Sequence, residues 1–464
     1  MTHQTGNQQA EVAAHLQRAA PSGQVVTSGP AYDASRALWN GAIRHRPVVV
    51  LHCSQPSDVQ AGVRVARDLG MPVSVRAGGH GWTGSALAEG GLVIDMSALR
   101  RVRVDADAAV AELDGGATSG DLAEAAEPHG LVAVTGTVDA VGMAGLSLGG
   151  GYGPLSGRFG LAVDNVLSID VVLADGSLIT TDAEHEPDLF WALRGGGGNF
   201  GVVTSMRVTL HTVPTVLSGV IMFPWPQAAS VLAALEEPAL RGPDELTVQC
   251  GVVTGPTGEP VVFVAPTWCG EPARGQRVVD ALAELGDPIA SYVAPTRLAD
   301  MLKQNGAAFP AGRHVEIRPR TLPGLTSAAI DALVAGGAGM TSALSAISLH
   351  SLHGAATRVP VEDTAFAART PHLLVETIAQ WEPGDRGGAK HRAWAGDLSD
   401  ALAGEALPGG YVNLLAADET DQITHAYGPN RDRLLAVKNR FDPDAVFSAT
   451  PLPPRSTAAQ GEGA

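Results

Sequence analysis

Five positions in this 464-residue chain have side chains suited to chemistry in settings that could support it. His80 follows two glycines and precedes a third in SVRAGGHG, so a tight bend presents an imidazole with cleared space on both sides. Glu376 sits in HLLVETIAQW, where every near neighbour is apolar or neutral. A carboxylate there is poorly solvated, its pKa is expected to rise, and it becomes a candidate general base. The competing reading is an edge-strand carboxylate facing water. Tyr152 in GGGYG is placed either to meet a substrate or to shape a pocket, and Tyr411 and Asn413 in YVN add a phenol and an amide near the C-terminus.

Three glycine clusters surround these residues: AGGHG at 77–81, SLGGGYGPLSG at 147–157 and RGGGGNFG at 194–201. Gly196, Gly198 and Gly201 satisfy G-x-G-x-x-G, but a helical segment precedes them and a strand follows, the reverse of a dinucleotide fingerprint. The chain has no GxxxxGK[ST], which argues against a P-loop nucleotide site. What the clusters offer is exposed backbone N–H, able to cradle a pyrophosphate without lysine or arginine. His350 and His353 lie three apart on the apparent strand AISLHSLHG and so face opposite sides, and there is no HExxH, so no metal is expected. A GxSxG elbow for serine chemistry is also missing.

The chain is long enough for two or more domains. A formal charge of −17 disfavours nucleic acid and anionic membranes, which call for a basic face. Cys53, Cys250 and Cys269 form no CxxC pair, pointing to buried thiols. The first twenty residues lack a basic n-region and an apolar h-region, and no run of 18 apolar residues occurs, so a cytoplasmic location is expected. Three lysines against many alanines and glycines read as the usage of a GC-rich bacterial genome.

The elements that must hold these residues begin as strand–helix–strand: RPVVVLHC, a helix in SQPSDVQAGVRVARDLG capped by Ser57 or Asp58, and MPVSVR. GGLVIDMS reads as a strand, VRVDADAAVAEL as two strands or one bent strand, and TSGDLAEAAEPHG as a helix capped at Thr118 or Ser119. Asp-Gly inside LSIDVVLADGSLITT marks a hairpin, PDLFWALRG a helix and FGVVTSMRVTLHTV a strand. From residue 216 the strands LSGVIMFPW, LTVQCGVV, PVVFVAPTW, AISLHSLHG, HLLVETIAQW and GYVNLLA alternate with amphipathic helices. That pattern predicts a mostly antiparallel sheet with helices on one face, an α+β fold. NRDRLLAVKNRF is a closing helix, and 451–464 has the composition of a disordered tail.

SVRAGGHG, then GTVDAVGMAGLSLGGGYGPLSGRFGLAVDN, then DLFWALRGGGGNFGVVTS resemble the FAD-binding domain of berberine bridge enzyme-like oxidases in the vanillyl-alcohol oxidase superfamily. The likeness covers roughly residues 40–215, and YVNLL with RLLAVKNRFDPDAVF is similar to that family's closing segment. It implies a two-subdomain PCMH-type FAD-binding domain at 1–215 (core about 44–214) and a substrate domain at 216–420. A return segment at 421–450 would pack back on the first. The resemblance makes FAD the cofactor and His80 its covalent anchor at the 8α-methyl carbon. The cysteine of a second link aligns with Val138, so that link is expected to be absent. Further flavin contacts implied by the motifs are Arg76, Ala77, Gly78, Gly79, Gly81, Gly136, Thr137, Gly142, Gly145, Gly149, Gly150, Gly151, Asn165, Gly201, Val202, Val203, Tyr411 and Asn413. Counting back from Trp381, Glu376 falls at the family's catalytic glutamate. Val141 falls at the residue over the oxygen-reactive C4a, where a small side chain marks oxidases, while the larger Leu146 borders the same region. The Leu-Leu after Asn413 and the ending FSATPLPP depart from the family pattern.

The resulting expectation is an oxidase that takes a hydride from an alcohol-type carbon of a small organic substrate, of polyketide or glycoside type, and reduces O2 to H2O2. An amine oxidase and a flavoprotein without net oxidation are the alternatives, and a homodimer is left open.

Overall fold

A computed structural model describes residues 2–213 and 215–454, with side chains from residue 9 on. The opening strand–helix–strand is Val49–His52, Pro56–Asp68 and Val73–Arg76. The two strands do not touch: Leu92–Asp95 lies between them and pairs parallel with both, and Gln24–Val26 closes the sheet. The helix cap is Gln55 rather than Ser57 or Asp58, because Pro56 already supplies the first helical residue. Asp58 sits at the third position, where its carboxylate accepts the N–H of Ser54 (2.9 Å) and of Gln55 (3.3 Å).

A second sheet is antiparallel, ordered Val102–Asp105, Val110–Asp114, Val202–Thr209, Val166–Val172, Leu178–Thr181. Its last two strands are the expected hairpin, turning at Asp175-Gly176 with Gly176 at φ +79°. Thr118 caps the helix Ser119–Ala126.

The third sheet carries seven antiparallel strands in the order Ala290–Thr296, Val216–Pro224, Pro260–Trp268, Leu246–Thr254, Ala346–Leu352, His372–Trp381, His314–Leu322. Strand side chains alternate between faces. Val248, Cys250, Val262, Val264, Ile347, Leu349, Leu373 and Val375 point to one side and pack with the helices Ala228–Arg241, Pro272–Ala283, Ser327–Ala338 and Gly388–Leu402. Each buried side chain of this kind contributes about 1.5–3 kcal/mol, which leaves the opposite face free for other duties.

Ala290–Thr296 and His314–Leu322 are strands that sequence reading passed over, and GYVNLLA is not a strand. Its residues turn back on themselves, with Leu414 N–H donating to Tyr411 O (2.9 Å). The closing helix Arg431–Phe441 lies on Pro187–Leu193, and Lys438 Nζ donates to Asn199 O (2.7 Å). Part of the expected disordered tail is placed: Pro451, Leu452 and Pro454 line the main cavity, while 455–464 fall outside the described residues.

Candidate active site

The free face of the seven-stranded sheet and the glycine-rich loops of the first half enclose a cavity of about 1560 Å³. Ordinary small-ligand pockets run about 300–1,000 Å³, so this one has room for a dinucleotide and a second molecule.

His80 enters it as its sequence setting suggests. Gly79 adopts φ +68°, and the bend sets the imidazole against Trp39, the rings stacked at 5.4 Å. Trp39 N–H donates to Gly79 O (3.1 Å), which fixes the turn. Among the described residues, the N–H groups of Gly78, Gly79, His80 and Gly81 donate to nothing. Burial lowers the His80 pKa to about 4, so its ring is neutral near pH 7 and keeps a free nitrogen lone pair.

Ala77, Gly78, Gly79, Gly81, Gly136, Thr137, Val141, Gly142, Gly145, Gly201, Val202, Val203, Tyr411 and Asn413 also line the cavity, as does Val138. Arg76, Gly149, Gly150, Gly151 and Asn165 do not, for identifiable reasons. The Arg76 guanidinium turns to buried Asp95 (2.7 Å). Asn165 Nδ2 donates to Phe159 O (3.0 Å) and Leu161 O (2.9 Å), and its Oδ1 meets His211 Nε2 (2.7 Å). The three glycines lie one layer back: a Cβ on Gly149 would strike the Asn413 amide, and Gly151 N–H donates to Tyr411 Oη (3.0 Å). Asn413 Nδ2 donates to the same phenol (2.9 Å) and to Leu146 O (3.1 Å). With both oxygen lone pairs engaged, Tyr411 retains its own proton for the cavity. Burial pushes its pKa up to about 12.

Tyr152 lines the cavity with its ring, but its hydroxyl is engaged elsewhere. It lies 2.6 Å from His372 Nε2, and His372 Nδ1 lies 2.7 Å from Thr370 O. Burial lowers the His372 pKa to about 4. A neutral ring that donates from Nδ1 must accept at Nε2, so Tyr152 is the donor and its proton does not reach a substrate.

Glu376 is on the cavity face of an interior strand, not on an edge facing water, flanked by Ala346–Leu352 and His314–Leu322. Burial raises its pKa, opposed by nearby His350, whose Nε2 is 3.4 Å from Glu376 Oε1. Sequence reading treated His350 only as a failed metal ligand. The signal for its actual place is the cross-strand register that sets Ser348 opposite Glu376, and register is not written in either strand alone. His353 goes elsewhere, with Nε2 2.8 Å from Leu246 O. Gln249, Trp39 and the Ser448–Leu452 segment are further lining residues that sequence reading missed; Thr450 Oγ1 accepts Gly198 N–H (3.2 Å).

No lysine or arginine side chain lines this cavity, and Glu376 is its only carboxylate among the described residues. A Ser35–His52–Asp95 line outside it is not a nucleophile relay. Ser35 Oγ donates to Ala31 O (2.7 Å), so His52 can only donate to Ser35 (2.9 Å).

Residues 47–182 match the family model described as FAD binding domain, and 410–451 match the model described as berberine and berberine like. The (R)-6-hydroxynicotine oxidase of Paenarthrobacter nicotinovorans is 31% identical over 434 residues, covering 90% of this chain and 93% of the relative. The chain belongs to the berberine bridge enzyme-like FAD-linked oxidoreductases. An FAD-linked oxidoreductase of Gibberella zeae is also 31% identical, over 430 residues, 90% of this chain and 83% of that one. Among solved structures, 6-hydroxy-D-nicotine oxidase from Arthrobacter nicotinovorans superposes with TM-score 0.84 at 29% identity, over 92% of this chain and 97% of the other. Physcomitrella patens BBE-like 1 superposes with TM-score 0.85 at 22% identity, over 95% and 99%, a likeness of fold.

The enzyme's cofactor is therefore FAD, and the cavity fits it. Undonated N–H groups at Gly78–Gly81 suit a pyrophosphate or a flavin carbonyl, and the glycine lining leaves room for backbone approach. No helix of the described residues is long and apolar enough to cross a membrane.

Proposed function

We propose that the enzyme oxidises an alcohol-type carbon of a small organic substrate, with FAD linked covalently through His80 and with O2 reduced to H2O2. The observation that carries this reading is Glu376: a carboxylate facing the cavity, raised in pKa by burial, and the only carboxylate lining it among the described residues. Bound FAD supplies the hydride acceptor. The protein's part is to hold the carbinol carbon toward it while Glu376 accepts the hydroxyl proton, so that C–H cleavage leaves a neutral carbonyl. Tyr411, with its proton free, donates to the substrate oxygen. His80, neutral and stacked on Trp39, is the group positioned to bond the cofactor. Beyond the polar patch of Gln249, Ser348, His350 and Glu376, the wall becomes apolar through Val220, Met222, Phe263 and Tyr292. That composition suits a hydroxyl carried on an extended hydrophobic or aromatic body, of polyketide or aryl-glycoside type.

Amine oxidation is the second reading, favoured by the identity with (R)-6-hydroxynicotine oxidase. The two differ in their need for a base, since a carbinol must lose its O–H proton and a neutral amine need not. Glu376→Gln is expected to slow anaerobic flavin reduction by an alcohol substrate about 10²-fold or more. A peroxide-coupled screen of alcohols and amines supplies that substrate. The proton acceptor must be ionised, and burial raises its pKa, so reduction should fall as pH drops through a value above the ordinary 4.5. Unchanged reduction in the variant assigns the base elsewhere.

A further inference from the structure

We propose that His350 is a positioning residue for Glu376: its imidazole, on the neighbouring strand, supplies the positive charge that holds the carboxylate ionised as base. This rests on the reading of Glu376 as base.

The geometry comes from adjacent strands. Ser348 and His350 share the cavity face of Ala346–Leu352, and Ser348 pairs in register with Glu376. His350 Nε2 lies 3.4 Å from Glu376 Oε1 and 3.1 Å from Ser348 Oγ. Ser348 Oγ in turn accepts from Gln249 Nε2 (2.9 Å). This hydroxyl contact holds the His350 ring beside the carboxylate.

The step balances. The substrate O–H bond breaks and its proton joins Glu376 Oε, the C–H hydride passes to bound FAD, and the C–O bond becomes a carbonyl.

The other groups around Glu376 do not compete. Tyr411 faces it from the 411–415 turn and stays protonated. The neighbouring strand His314–Leu322 sets Pro319 against it, and Leu246–Thr254 offers uncharged Gln249. Glu316, Arg318 and Arg320 alternate to the far face, where Arg318 pairs with Glu316 (2.6 Å) and Asp418 (2.9 Å) and Arg320 with Asp421 (3.0 Å). Among the described residues, His350 is thus the group placed to supply positive charge to Glu376.

The test is the pH profile of anaerobic flavin reduction in holoenzyme, for wild type, His350→Gln, His350→Lys and Glu376→Gln. Gln removes the partner charge, so the rising limb should move up by about one pH unit or more, as for a carboxylate losing a nearby cation. At a pH below both limbs that is about a tenfold loss, with the high-pH rate and substrate Kd little changed. Lys makes the charge permanent, so its limb should sit below that of wild type. Opposite shifts in the two variants support the proposal, and the Lys profile alone tests its sign if the Gln protein does not fold. A uniform loss of rate at all pH, or an unmoved limb in either variant, overturns it while Glu376→Gln still slows reduction. If Glu376→Gln reduces at the wild-type rate, the base reading itself fails and the proposal with it.

Discussion

Gly78 and Gly142 meet backbone to backbone. A Cβ on Gly142 would fall 2.7 Å from Gly78 N, and a Cβ on Gly78 would fall 2.7 Å from Ala140 O and closer still to Gly142 N. Two glycine loops from distant parts of the chain therefore form one continuous wall, and neither can carry a side chain. Gly142→Ala should force them apart at a cost of about 1–3 kcal/mol. The purified variant is expected to carry less than one FAD per chain and to melt earlier; full loading at the wild-type melting temperature refutes the contact's importance.

Removal of the imidazole should free the cofactor. Acid-precipitated wild-type protein is expected to stay yellow, and His80→Ala to release its flavin to the supernatant. Because His80 is neutral down to about pH 4, its nitrogen is available for bonding throughout the physiological range. Flavin that dissociates from denatured wild type rules out the covalent bond.

Tyr152 separates packing from chemistry. Tyr152→Phe keeps the ring in the cavity but leaves His372 Nε2 buried and without its donor, a loss of about 1–3 kcal/mol of stability. Flavin reduction should change little, since the hydroxyl never faces the substrate. A large fall in reduction rate with unchanged denaturation would place the phenol in the reaction.

Val141 lines the cavity, and in the proposed oxidase it would border the path of oxygen to the flavin; interiors are packed closely enough for one methylene to decide access. Val141→Leu should slow reoxidation of photoreduced enzyme by aerated buffer and leave anaerobic reduction nearly unchanged. Equal effects on both half-reactions, or a wild type that stays reduced for minutes, would end this assignment.

Local signals carried the sequence reading where they were strong. Asp175-Gly176 gave its hairpin, Thr118 its helix cap, and AGGHG its tight bend at Gly79, since each rests on a local requirement few residues meet. The misses are those where local chemistry misleads. Ala290–Thr296 is an edge strand whose side chains are largely exposed, so ASYVAPT shows no clear apolar alternation. In HVEIRPRTL the alternation is present, but Arg318, Pro319 and Arg320 disguise it. Tyr-Val-Asn-Leu-Leu mimics a strand because Tyr411 and Asn413 serve a glycine layer rather than a sheet. Pairings set by register, such as His350 with Glu376, or by return of the chain, such as Thr450 with Gly198, need the assembled fold to be seen.

A cavity whose described lining residues include no lysine or arginine, in a chain of net charge −17, also bears on how the enzyme meets its substrates. A phosphorylated or carboxylated molecule approaches against the protein's field and meets no lysine or arginine among the described lining residues. A cationic one is drawn in, and that attraction weakens as ionic strength shortens the Debye length. Salt thereby becomes a selector: it should depress kcat/KM for positively charged substrates, relieve the handicap of anions, and leave neutral alcohols untouched.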